Sequence, residues 1–158
     1  MTSRVYSGVL QGLDSKRIVV ECDSGTGLFS CVIVGLPDAA VQEARERVRA
    51  AIKNSGFTFP RGRVTVNLAP ADLKKEGPAY DVPIAVSILL SEFGGGNLPR
   101  NVIDESAFAG ELALDGSVRP VAGVLSLALM ARDEGLRAIF VPFENRAEAG
   151  LVPDITIY

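Results

Sequence analysis

Cations are the residues whose type and spacing come closest to a chemistry in this chain. Arg45, Arg47, Arg49, Lys53, Arg61, Arg63, Lys74 and Lys75 fall in one stretch whose only acids are Glu46 and Asp72. The stretch carries +6 inside a chain of net charge −3. Such asymmetry fits a surface that faces an anion or a nucleic acid, and equally a single solvated helix face. At its end, Gly77-Pro78 stands where a helix should start. Free N–H groups there favour an anion, with Lys74 and Lys75 adding charge. A phosphate, such as one of DNA, would suit this loop; the plainer reading is a loop that only caps the helix.

Other chemistries are excluded by what is missing. The chain has no histidine, which removes Ser-His-Asp and Cys-His catalysis. Cys22 and Cys31, the only cysteines, do not make a usual zinc site without one. They read as small buried residues on adjacent strands. No Gly-x-x-x-x-Gly-Lys-Ser/Thr loop occurs, and Gly25-Thr26-Gly27 and Gly94-Gly95-Gly96 read as turns. Asp104-Glu105 and Asp133-Glu134 sit at element ends and read as solvated pairs. No apolar run reaches the roughly eighteen residues of a membrane span. Met1–Val5 is no signal segment, so a cytoplasmic location without membrane contact is expected. The 158 residues, 47% hydrophobic and 22% charged, suit one globular domain spanning 1–158. Because it stops at a strand, the chain reads as a piece of something longer.

The elements that must position the cations follow from periodicity. Val5–Leu10, Arg17–Cys22 and Phe29–Val34 read as a three-stranded antiparallel meander, with turns at Gly12–Ser15 and Ser24–Gly27. Asp38 reads as the N-cap of a helix reaching Asn54, with Val41, Ala44, Val48, Ala51 and Ile52 on one face and Gly56 ending it. Arg63–Leu68 is a strand with Val64, Val66 and Leu68 inward. Lys74–Pro78 is a polar loop. Asp81–Phe93 is a helix with Pro83 in its first turn and Ile84, Ile88 and Leu89 inward. Gly94-Gly95-Gly96 is a flexible exit. Ser106–Leu112 and Ser117–Pro120 form a hairpin about Asp115-Gly116. The helix Val121–Glu134, the strand Arg137–Val141, the short helix Glu144–Ala149 and the strand Ile155–Tyr158 complete an α/β order with a mixed sheet.

Two resemblances add to this reading. Gly110-Glu111-Leu112 through Asp115-Gly116 to Arg119-Pro120-Val121-Ala122-Gly123-Val124-Leu125 is similar to a segment of Lon proteolytic domains and of the C-terminal domain of RadA. Lys75-Glu76-Gly77-Pro78-Ala79-Tyr80-Asp81 looks like the Lon stretch that carries the nucleophile. The resemblance implies the ribosomal protein S5 domain 2-like fold, a two-layer α/β (α+β) sandwich. It also implies a serine where Ala79 stands and a lysine where Leu125 stands. A methyl group cannot attack a carbonyl and an isobutyl group cannot accept a proton, so no catalysis is expected here. A divergent peptidase would need Ser126 with Lys75 instead, and Tyr80 is expected to fill the former cleft.

The second resemblance covers nearly the whole chain. Gly35-Leu36-Pro37-Asp38, the helix Val41–Ile52, Asn54-Ser55-Gly56-Phe57, the run Val64–Gly77 and Tyr80-Asp81-Val82-Pro83-Ile84-Ala85 look like the opening domain of the magnesium-chelatase-like ComM/YifB family. That family implies a bacterial AAA+ ATPase whose P-loop lies beyond Tyr158. It also implies a hexameric DNA helicase acting in branch migration during natural transformation. No cofactor is expected in this chain; ATP and magnesium belong to the ATPase domain. The expected partners are that domain, neighbouring protomers and single-stranded or branched DNA. The competing readings are a divergent peptidase and a purely structural domain that stabilises the ATPase.

Overall fold

Thr2–Gln11 (β1) and Asp14–Gly25 (β2) form one long hairpin in the computed structural model, which describes residues 1–94 and 99–158. Its tight turn is Gly12-Leu13, and Gly12 has a φ of 63°, where a side chain would be strained. The expected meander ends there. Ser30–Val34 (β3) runs parallel to Arg63–Ala69 (β4), and β4 lies between β2 and β3. Parallel neighbours need a crossover, and the helix Ala39–Asn54 (α1) supplies it. Cys22 and Cys31 are therefore not on adjacent strands, since β4 separates them. Burial raises the Cys22 pKa to about 11 and shifts that of the half-buried Cys31 upward too, which keeps both protonated at neutral pH.

α1 forms as its sequence dictates. The Asp38 carboxylate accepts the Val41 N–H at 2.8 Å, and Gly56 beyond the C-terminus has a φ of 84°. Val41, Ala44, Val48, Ala51 and Ile52 are all buried on one stripe. They pack with Val5, Ile18, Val20, Val64, Val66 and Leu68 of the sheet. Each large aliphatic residue so buried contributes about 1.5–3 kcal/mol.

A 3-10 turn at Pro78–Tyr80 leads into Asp81–Phe93 (α2), which shares this core. Ser87 and Ser91 let α2 lie close to β1 and β2. Each donates its hydroxyl to the helix carbonyl three residues back, and Ser3 donates to the Ser87 carbonyl at 2.5 Å. Gly94 ends α2 in the left-handed region; Gly95 and Gly96 lie outside the described residues.

Much of the rest of the chain builds a second core, although Ile103, Phe108 and Leu112 join the first. Arg100–Asp104 (α3) precedes Ser106–Phe108 (β5); Glu111–Leu112 (β6) and Val118–Arg119 (β7) form a separate hairpin. Asp115 holds the hairpin turn by accepting from the Ser117 hydroxyl and N–H, which lowers its pKa. The single strand expected from Ser106 to Leu112 is broken. Gly110 turns away to donate to Ala79 O at 2.9 Å and accept from Val82 N at 3.1 Å, clipping the start of α2. Val124–Asp133 (α4), Ala138–Phe140 (β8), Arg146–Ala149 (α5) and Thr156–Ile157 (β9) follow. The sheet order is β3-β4-β2-β1-β5-β8-β9. Ala107 and Phe108 are consecutive on β5 yet join different apolar clusters, one with α4 and one with α2, as alternate strand positions must. The α/β architecture with helices on a mixed sheet is the expected one. Among the described residues no helix is long and apolar enough to cross a membrane.

Candidate nucleic-acid interface

The loop before α2 does not offer the anion site that its sequence suggests. The Gly77 N–H donates to the second Asp38 carboxylate oxygen at 3.1 Å, so a carboxylate of the protein already takes it. Lys74 pairs with Glu76 at 3.1 Å on the surface. Lys75 is fully buried. Its Nζ donates to Gly35 O at 2.6 Å and to Pro70 O, and its backbone bonds Leu36 O and the Asp38 N–H. Lys75 is a staple between two loops and is removed from the DNA-facing set. Its burial also removes the rescue in which it would activate Ser126, whose hydroxyl donates to Leu13 O at 2.8 Å.

Ala79 lines a cleft of about 500 Å³ together with Gly77, Tyr80, Gly123 and Val124. Leu125 lies beside it, with its N–H donating to Glu148 at 3.1 Å and its side chain partly exposed. No serine hydroxyl bonds a lysine amine among the described residues, and Ser7, which also lines the cleft, donates to Phe108 O at 2.7 Å. Tyr80 is buried at the cleft wall, and burial raises its pKa.

Arg47 also leaves the surface set. It forms a two-pronged pair with the fully buried Asp81, at 2.7 and 3.0 Å, and donates to Ala40 O at 2.8 Å. Asp81 accepts the Leu112 N–H at 3.0 Å as well, so one carboxylate joins α1, α2 and β6. The hydrogen bonds that Arg47 donates to Asp81 raise the Arg47 pKa further.

Of the five cations left, four stay together and Arg63 does not: on β4 it alternates with Val64, which faces α1, so it points to the opposite face of the sheet. Arg45, Arg49 and Lys53 recur every four residues along α1 and so form one stripe. Arg61 and Arg63 sit before and at the start of β4. None of the five has a carboxylate partner within salt-bridge distance among the described residues. Arg49, Lys53 and Arg61 border a hollow of about 430 Å³ with Phe29 and Phe59. Phe29 is 45% exposed, and the Arg49 guanidinium lies 4.5 Å from its ring centroid. Sequence reasoning placed Phe29 in a strand; it precedes β3, and the spacing of Arg45, Arg49 and Lys53 was the available signal for the stripe. Along the same edge, Gln42 donates to Ile33 O at 3.2 Å and Arg45 to Cys31 O at 3.5 Å, so α1 covers the free carbonyls of β3.

The fold and this surface define a class: an α/β domain of mixed sheet, similar over part of its length to Lon proteases, with a basic edge. Lon protease 2 of Syntrophobacter fumaroxidans is 29% identical over 105 residues, 66% of this chain and 13% of that protein. Residues 20–145 match the family described as subunit ChlI of Mg-chelatase, and the chain belongs to this magnesium-chelatase-like family, in the branch of YifB and ComM. YifB of Escherichia coli is 44% identical over 150 residues, 95% of this chain and 29% of YifB. The competence protein ComM of Haemophilus influenzae is 39% identical over 154 residues, 98% of this chain and 30% of ComM. The chain thus spans less than a third of the length of these relatives.

Proposed function

We propose that this domain is a non-catalytic accessory module of a ChlI-like AAA+ ATPase and engages DNA through the edge formed by α1, β3 and the start of β4. The observation that carries the reading is four cations, Arg45, Arg49, Lys53 and Arg61, gathered there without carboxylate partners among the described residues. Phosphates are the natural counter-charges for such a group, and their binding releases condensed ions. ATP and magnesium belong to the ATPase part of the parent protein, which on this reading works as a hexameric helicase in branch migration.

Titrating the 158-residue chain with labelled DNA at low salt tests the reading. Binding that weakens steeply as salt rises is expected. Arg49→Glu with Lys53→Glu should lower affinity at least about tenfold and make the salt slope shallower by roughly two. Salt-independent binding, or a double variant that binds as well as the parent, would sink the DNA part.

A second reading, contact with a neighbouring protomer, is favoured by Val32, Val34 and Leu36, which face solvent at the same edge. It expects deletion of the domain to lower the mass of full-length assemblies in light scattering. Against the peptidase reading, the chain is expected to leave unfolded casein intact, since Ala79 offers a methyl and Lys75 is sealed from the cleft.

A further inference from the structure

We infer that the hollow beside Phe29 is a seat for an unpaired nucleobase, which makes the domain selective for single-stranded polynucleotides over duplex. The inference rests on the DNA-facing reading above and adds what that surface selects. A patch that reads only phosphates needs cations and no aromatic ring. Here Phe29 stands half exposed in the middle of the cations, at a place where the core does not need it.

The ring is held in place. Phe59, itself buried, meets it edge-on with centroids 6.3 Å apart and planes at 63°. The Arg49 guanidinium lies over it, 4.5 Å from the ring centroid, so a base can stack on the free face of the ring or on the guanidinium. The loop that carries Phe29 is fixed to the loop before β4. Ser30 N–H donates to Gly62 O at 3.4 Å, and a Cβ on Gly62 would lie 2.1 Å from Gly25 O. The seat is therefore formed before any ligand arrives, and its volume of about 430 Å³ is within the usual range of small-ligand sites.

Bases stack on aromatic and guanidinium planes irrespective of sequence. A base inside a duplex shows only its edges to the grooves, so it cannot lie on Phe29. A single strand can place a base there while its phosphates reach Lys53 and Arg61, which border the same hollow.

The experiment compares an oligo-dT of about twenty nucleotides with a duplex of equal length, by fluorescence anisotropy on the 158-residue chain at low salt. Phe29→Ala and Phe29→Leu are both measured, with Phe29→Tyr as the conservative control. The expected result is a loss on the order of tenfold in dT affinity for the alanine and leucine variants, as for one lost stack. Duplex affinity should be unchanged, and tyrosine should bind like the parent. Lys53→Glu with Arg61→Glu should weaken both ligands. Unchanged dT binding by Phe29→Leu, with the double variant still weakened, overturns the base seat and leaves the phosphate surface standing. Absence of salt-sensitive binding to either ligand overturns both readings.

Discussion

Arg47→Ala is expected to destabilise the domain by about 3–5 kcal/mol, the loss that follows when one member of a buried ion pair is removed. Asp81 is fully buried, and Arg47 supplies two of the three hydrogen bonds found on its carboxylate. Without Arg47 the charge stays inside, with only the Leu112 N–H as partner. Asp81→Asn should lose less, because the amide oxygen still accepts from Leu112 and Arg47 keeps partial access to water. Urea unfolding followed by circular dichroism measures both. A domain stability of about 5–15 kcal/mol makes the Arg47 effect a large fraction of the whole. A loss below about 1 kcal/mol would mean that the α1–α2–β6 junction does not depend on the pair. The same change subtracts one positive charge, yet little DNA affinity should go with it in the fraction that remains folded.

Lys75→Ala and Lys74→Ala should behave as opposites although the residues are neighbours. Lys74 is exposed and paired only with Glu76, so its removal is expected to stay within about 0.5 kcal/mol. Lys75→Ala orphans the Gly35 and Pro70 carbonyls and empties the space of a buried stem, for about 3 kcal/mol. Thermal melts should drop by roughly 6–12 °C for Lys75→Ala and hardly move for Lys74→Ala. The pH dependence has a definite sign. Burial pushes the Lys75 ammonium below its ordinary 10.5, so the unfolded chain holds that proton more tightly. Stability should rise as pH climbs through the folded pKa toward 10.5, and Lys75→Met should lack that rise. A parallel pH profile for the two proteins would refute the assignment.

These contrasts show where sequence reasoning reaches. α1 was legible because its cap, apolar stripe and terminating glycine are local features that agree: Asp38, Val41 through Ile52, and Gly56. β4 was legible from the alternation of Val64, Val66 and Leu68. The place of β3 was not, because its neighbour is chosen by a crossover helix and not by the turn before it. For the same reason Cys22 and Cys31 were put one strand too close. Of the eight cations, Lys74 and Lys75 look alike in sequence, and burial is decided by Pro70 in the preceding turn together with Gly35, remote along the chain. Arg47 is separated from Arg45 and Arg49 by helix geometry: two residues turn it from the solvent stripe toward Asp81. Gly77 looked like an open donor because the carboxylate that takes it, Asp38, belongs to another helix.

The side chains laid by α1 over the rim of β3 bear on how the molecule meets its own kind. An uncovered strand edge is a template on which a further strand, from any copy, can grow toward a fibril. With Gln42 on the Ile33 carbonyl and Arg45 on that of Cys31, this edge has lost two of the acceptors such growth requires. Exposed valines at positions 32 and 34 can therefore stay on the surface with less tendency to seed stacked sheets.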